Sequence, residues 1–309
     1  RDCAGYARFS YSPRFAERLN CEMRIKNIIA VPFLLLAVLA SVQARADQVI
    51  PGKDITYPGT VPGTAFLRAD RTREGVARID AWEVLHGRLV QTYDIDMTKL
   101  MHMIVVSDDL TDFQHVHPTL LPNGHFTIDL HLAKPAEAYH IYLDGRPHGS
   151  GRNVFRFDLP AEAGAPTTTR YVHAAGSSVQ VGPYTVMIDP TSVPIGEIAT
   201  ISVRILKNGH SANDLHPYLG VMSHGVLIGT RDLAYMHVHG MTSQMLDMSS
   251  ANDCGDSMMM QMTPMPPDLN IGNEFELELL APSTQDYNLW LQFVGGKTLY
   301  TAPLLVTTR

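Results

Sequence analysis

Shifted by 122 residues, the chain aligns with itself: ARIDAWEVLHGRLVQTYDIDMTKLMHMIVVSDDLTDFQHVHP (77–118) lies over ATISVRILKNGHSANDLHPYLGVMSHGVLIGTRDLAYMHVHG (199–240) without a gap. Identities are sparse, but they include His102/His224, His115/His237 and His117/His239, so both copies carry H-x12-H-x-H. The likeness resumes where F-T-I-D-L-H-L (126–132) and Y-H-I-Y-L (139–143) resemble F-E-L-E-L-L (275–280) and Y-N-L-W-L (287–291) at a shift of 148 to 149. The second copy has therefore gained about 27 residues after its H-x-H, read from the spacing. An internal repeat of this length requires each copy to be one structural unit, and the chain holds two in tandem.

The segments between turn clusters are short, and they alternate β-branched and aromatic residues with polar ones, as in Ala77–Leu85, Phe126–Leu132, Ile198–Leu206 and Phe275–Leu280. Ser107-Asp108-Asp109, Pro122-Asn123-Gly124, Asp144-Gly145 and Asn208-Gly209 punctuate them at sandwich-like intervals, and no amphipathic helix is evident after residue 47. The predicted fold is all-β: two tandem Ig-like or Greek-key β-sandwich domains, 47–160 and 171–309, joined by the Ala/Pro/Thr-rich linker 161–170, with a Met-rich insertion at 241–267.

Residues 23–46 read MRIKNIIAVPFLLLAVLASVQARA, a basic start, an apolar run and a small-x-small close. This is the pattern of a secretory signal peptide with cleavage after Ala46, and residues 1–22 are expected to lie upstream of the true start. The expected location is the periplasm, with no membrane span after cleavage. The formal charge is already -7. The removed segment carries more basic than acidic residues, so the mature chain is more negative still, which disfavours nucleic acid and suits cation capture. Of the 3 Cys, only Cys254 follows the cleavage site, so neither an internal disulfide nor a lipid attachment Cys is expected.

A hairpin turning at Asp108-Asp109 places His102 opposite His115, with His117 projecting from the same face two residues on. The same reasoning groups His224, His237 and His239. Cross-strand neighbours about 5 Å apart allow three imidazoles to converge on one metal ion at about 2.0–2.1 Å each. The alternative is that these rings bond to backbone. Two copies that differ elsewhere yet share all three His favour a ligand role. His140 and His216 are further ligands if folding brings them near.

More than half of the chain's 15 Met fall in the insertion: Met241, Met245, Met248, Met258, Met259, Met260, Met262 and Met265, interleaved with polar residues and Pro without strand or helix periodicity. Thioethers select Cu(I), whereas imidazole suits Cu(II) and Zn(II), so copper satisfies both features, with zinc or nickel the alternative at the triads. An adhesive or oxidisable Met patch is the competing reading.

L-M-H-M-I-V-V-S-D-D-L-x2-F-Q-H-V-H-P (100–118), Y-H-I-Y-L-D-G (139–145) and L-H-P-Y-L-G-V-M-S-H-G-V-L-I-x3-D-L-A-Y-M-H-V-H (215–239) resemble a family of exported bacterial tandem β-sandwich proteins. That resemblance, over roughly 75–309, implies an association with copper and heavy-metal handling. The family pattern has an acidic residue before Pro-Tyr-Leu-Gly, where this chain has His216. The Met-rich insertion separately resembles, in composition, the Met motifs of periplasmic copper-resistance proteins. The Cys pair and Gly-rich features of copper/zinc superoxide dismutase are missing, as is the Glu that follows H-x-H in cupins. No nucleophile elbow, P-loop or paired-carboxylate motif occurs. The expected function is copper binding for sequestration, tolerance or delivery to an envelope copper-handling protein, not catalysis. A copper-dependent redox enzyme is the remaining catalytic reading, and a metal-free interaction module the alternative from another class.

Overall fold

The computed structural model describes residues 48–55, 62–242 and 263–309; the predicted export segment and residues 243–262 of the insertion lie outside the described residues. Ala46–Arg309 form one compact unit. Every named element among the described residues is a strand. No helix among them is long and apolar enough to cross a membrane.

Each repeat contributes seven principal strands. In the first these are β1 (Thr64–Arg73), β2 (Val76–Leu85), β3 (Met101–Ser107), β4 (Phe113–Val116), β5 (Phe126–His131), β6 (Tyr139–Pro147) and β7 (Asn153–Leu159). In the second they are β8 (Tyr184–Asp189), β9 (Ile198–Lys207), β10 (Ser223–Gly229), β11 (Tyr235–Met241), β12 (Glu274–Leu280), β13 (Asp286–Gly295) and β14 (Thr298–Thr308). The first repeat pairs them as β1-β2-β5 in one sheet and β7-β6-β3-β4 in the other, the strand order of an Ig-like sandwich. The second has the same order, β8-β9-β12 and β11-β10-β13-β14, but β11 also bonds to β12 through Gly240 and Met241, so its two sheets run together along one path.

The alternating strands give the layers. In β9, Ala199, Ile201, Val203 and Ile205 point inward while their neighbours face solvent. β2 does the same with Ala77, Ile79, Ala81 and, unusually, Glu83. Each sandwich closes over its own apolar core.

β3, β6, β10 and β13 depart from alternation, being buried on both faces along nearly their whole length. Near-continuous apolar runs such as M-H-M-I-V-V are what strands covered on both sides require. Met101, Met103 and Val105 fill the first sandwich, whereas Ile104, Val106, Tyr142 and Val154 pack with Val226, Ile228, Leu233, Tyr235 and Trp290 of the second repeat. The two repeats thus share a third apolar layer. Within it Phe113 stacks on Trp290 (4.7 Å, 4°) and Tyr142 on Tyr235 (4.7 Å, 15°). The connection after β7 is tied to both halves, because Arg170 donates to the carbonyls of Thr230 and Arg231 and pairs with Asp108.

Trp290→Ala is expected to destabilise the fold by about 3–5 kcal/mol, because it removes the largest side chain of this shared layer. Urea denaturation measures this; a loss below about 1 kcal/mol would show that the layer does not hold the halves together.

Candidate metal centre

Residues spaced by two along a strand share a face, so the face of β3 that carries Ile104 and Val106 also carries His102, and that of β10 with Val226 and Ile228 carries His224. The same alternation places His115 beyond Phe113 on β4 and His237 beyond Tyr235 on β11. The layer between the repeats is therefore apolar at one end and imidazole at the other.

The hairpin register differs from the expected one. His115 pairs with Ile104, not His102, and in the second repeat His224 pairs with His239 while His237 faces Val226. The reason lies in the turn, where Leu110 adopts φ 60° and is fully buried, widening the β3–β4 connection. Because the slip is by two residues, no side chain changes face, and the triads survive.

What spacing did not foresee is that the two triads meet. One ring nitrogen from each of His102, His115, His224 and His237 lies within 4.8 Å of the others, and all four residues are buried. The six ring-centroid separations among them run from 5.0 to 5.9 Å. His102 Nδ1 lies 3.0 Å from His115 Nε2, and His224 Nδ1 lies 3.0 Å from His237 Nε2. Tetrahedral ligands about 2.0–2.1 Å from an ion stand about 3.4 Å apart, so these donors need only small shifts to share one.

The outer nitrogens fix the tautomers. His102 Nε2 lies 3.1 Å from the Asp96 carbonyl, which only accepts, so the proton sits on Nε2 and Nδ1 presents a lone pair. His237 Nδ1 donates to the Asp144 carboxylate at 3.2 Å, leaving Nε2 bare. His115 Nδ1 donates to Gln292 Oε1 at 2.8 Å, with the same result. Two bare lone pairs, on His102 and His115, therefore face each other at 3.0 Å, an arrangement that a cation between them relieves.

These outer partners cross between repeats: Asp144 on β6 orients a His of the second, and Gln292 on β13 orients a His of the first. They are equivalent positions, Asp144 pairing with His102 and Gln292 with His224 in the sheets. Asp144 is buried and also accepts from Tyr235 Oη at 2.8 Å and from both Arg152 Nε (2.6 Å) and Nη2. Burial opposes its ionisation, but Arg152 and the bond from His237 hold the carboxyl well below the usual range.

Burial pushes all six imidazoles down, His237 to about 3 and His117 to about 2. For His115 and His224 the neighbouring rings add to this, whereas Asp144 opposes it at His102 and His237. Neutral imidazole is the form that binds metal.

His117 and His239 flank the four and are half-buried. His140 lies elsewhere, held between Asp158 and Asp108, and His216 bonds to the Leu269 carbonyl, so neither adds a ligand. Met241 is buried at the end of β11, and Met265 packs against the second sandwich's core instead of standing in an open loop. Met245, Met248, Met258, Met259, Met260 and Met262 lie outside the described residues, as does Cys254. Asp144 and Gln292 were missed as site residues; the trace they leave is a polar residue at equivalent places in two otherwise apolar strands, Y-H-I-Y-L-D and Y-N-L-W-L-Q.

No curated protein sequence matches the chain. Among solved structures it is similar to a two-domain fibronectin type III segment of chicken tenascin, at 10% identity over 83% of this chain and 100% of that one, with a TM-score of 0.21. It is also similar to the FN1–FN3 domains of chicken CNTN1, at 7% identity over 78% and 64% of the two chains, with a TM-score of 0.20. Scores this low carry no weight beside the strand order, on which the sandwich assignment rests. Residues 178–309, the second repeat, match the model of a domain of unknown function, DUF8832.

Proposed function

We propose that this chain is a periplasmic copper-binding protein that sequesters copper or passes it to an envelope partner. The observation that carries the reading is the convergence of four buried imidazoles, with three of the inward nitrogens held as lone pairs by Asp96, Gln292 and Asp144. A neutral nitrogen donor set suits Cu(II) and Zn(II) alike. Copper is favoured by the Met-rich insertion and by the likeness to exported copper-associated sandwiches. Both ends of the insertion are close to the cluster in chain or space. Met241 follows His239 by two residues, and Pro264 packs on Gly220 in the turn that carries Tyr218, whose ring lies 5.3 Å from that of His224. Buried ligands on strands from two halves exchange slowly, which suits retention and handover better than turnover.

Titration of the full chain with Cu(II), alongside the His102→Ala/His224→Ala double variant, tests this. Binding by the parent and at least a 100-fold weakening in the variant is expected, since one ligand of each inner pair is lost. A parent that binds neither copper nor zinc, or a variant that binds as the parent does, would leave the interaction-module reading in its place.

A further inference from the structure

We infer that the cluster takes two ions as a pair, one in each histidine triad, with His117 and His239 as third ligands; this rests on the metal-binding reading above. A single four-imidazole site leaves both flanking residues unexplained. Yet Nε2 of His117 and Nε2 of His239 are each buried without a hydrogen-bond partner. A buried ring nitrogen that nothing satisfies is a costly feature, and here it recurs at the same place in both repeats.

The ring geometry is also reproduced. In the first triad the centroid separations are 5.3 Å (His102–His115), 5.0 Å (His102–His117) and 4.9 Å (His115–His117). In the second they are 5.2, 4.7 and 4.8 Å for the corresponding pairs. Across the repeats the separations of the inner rings reach 5.9 Å. Each triad is thus as compact, centroid to centroid, as the inner four, whose ring nitrogens already lie within 4.8 Å of one another, and Nε2 of His117 and of His239 are the unpartnered donors left beside them. The inner rings of the two triads stand 5.0 to 5.9 Å apart, centroid to centroid, so two ions so held would be neighbours.

The two positions are not equivalent. His237 is backed by a carboxylate and His115 by an amide, and an anionic partner raises the basicity of its imidazole. The ion in the second triad is therefore bound first.

The test counts Cu(II) per full-length chain by native mass spectrometry and follows its electron paramagnetic resonance signal, in the parent and in His117→Ala and His239→Ala. Two ions in the parent and one in each variant are expected. The signal per copper should fall when the second ion enters the parent, because neighbouring Cu(II) ions couple magnetically. His239→Ala should lose the tighter step and His117→Ala the weaker one. One ion in the parent, unchanged in both variants, would overturn the pair and leave the four-imidazole site standing. Two ions in the parent and in both variants would place the second elsewhere and equally overturn it. No ion in the parent would instead defeat the metal-binding reading. Denaturation midpoints accompany each count, and His117→Gln and His239→Gln replace any Ala variant that does not fold.

Discussion

Asp144→Asn is expected to cost about 3–5 kcal/mol of stability and to weaken metal binding about 10- to 100-fold. The two effects come from one carboxylate. On one side it neutralises Arg152, with which it forms a buried, two-pronged ion pair. The amide keeps the shape but removes the charge, and the guanidinium loses the buried carboxylate that both its Nε and Nη2 meet. On the other side it orients His237 from across the repeat boundary. An amide can still accept from Nδ1, so the ring stays placed, but it no longer makes the ring more basic. Urea denaturation without metal reads the first effect, and competition against a chromophoric chelator reads the second. A variant as stable as the parent would contradict the buried ion pair. One with unaltered affinity would separate Asp144 from the ligand set.

The second large effect is a pH dependence centred on Glu83, which is only 1% exposed inside the first sandwich. One of its oxygens has no partner, and the other accepts from Asn153 at 3.4 Å. Burial pushes its carboxyl up to about 8; the Asn153 bond opposes this and the Asp144 charge adds to it. The folded chain therefore holds a proton that the unfolded chain releases near the ordinary glutamate value of 4.5. The contribution is fully present below that value and is lost as pH rises towards about 8, by on the order of 5 kcal/mol in all. In the second repeat the equivalent inward position on β9 is Ile205. Glu83→Ile is accordingly expected to remove this loss and to raise the urea midpoint most at about pH 8, least at about pH 5. The buried imidazoles titrate in the opposite sense, so the difference between variant and parent at each pH isolates Glu83. A variant whose stability follows the parent's pH profile would show that Glu83 is not held protonated.

Much of the architecture is legible in the residues. The duplication announces two equivalent units, alternation in β2 and β9 announces their inner faces, and H-x12-H-x-H announces three imidazoles per unit. The hairpin register lies two residues from the one expected for a turn at Asp108-Asp109, yet His102, His115 and His117 still share a face, because strand periodicity makes any even slip preserve it. The continuous apolar run in β3 is a trace of the layer shared between repeats, visible in the sequence but without a statement of what covers it.

The all-β class, the repeat and the shared face of the three histidines in each hairpin follow from local periodicity and from spacing along the chain. That inner histidines of the two repeats meet, that Asp144 and Gln292 orient histidines of the opposite repeat, and that His140 and His216 stand apart comes from the packing of one sandwich on the other. Those relations depend on which outer face of one sandwich lies against the other, and hydrophobic burial that is non-directional along a strand leaves no spacing signal for it.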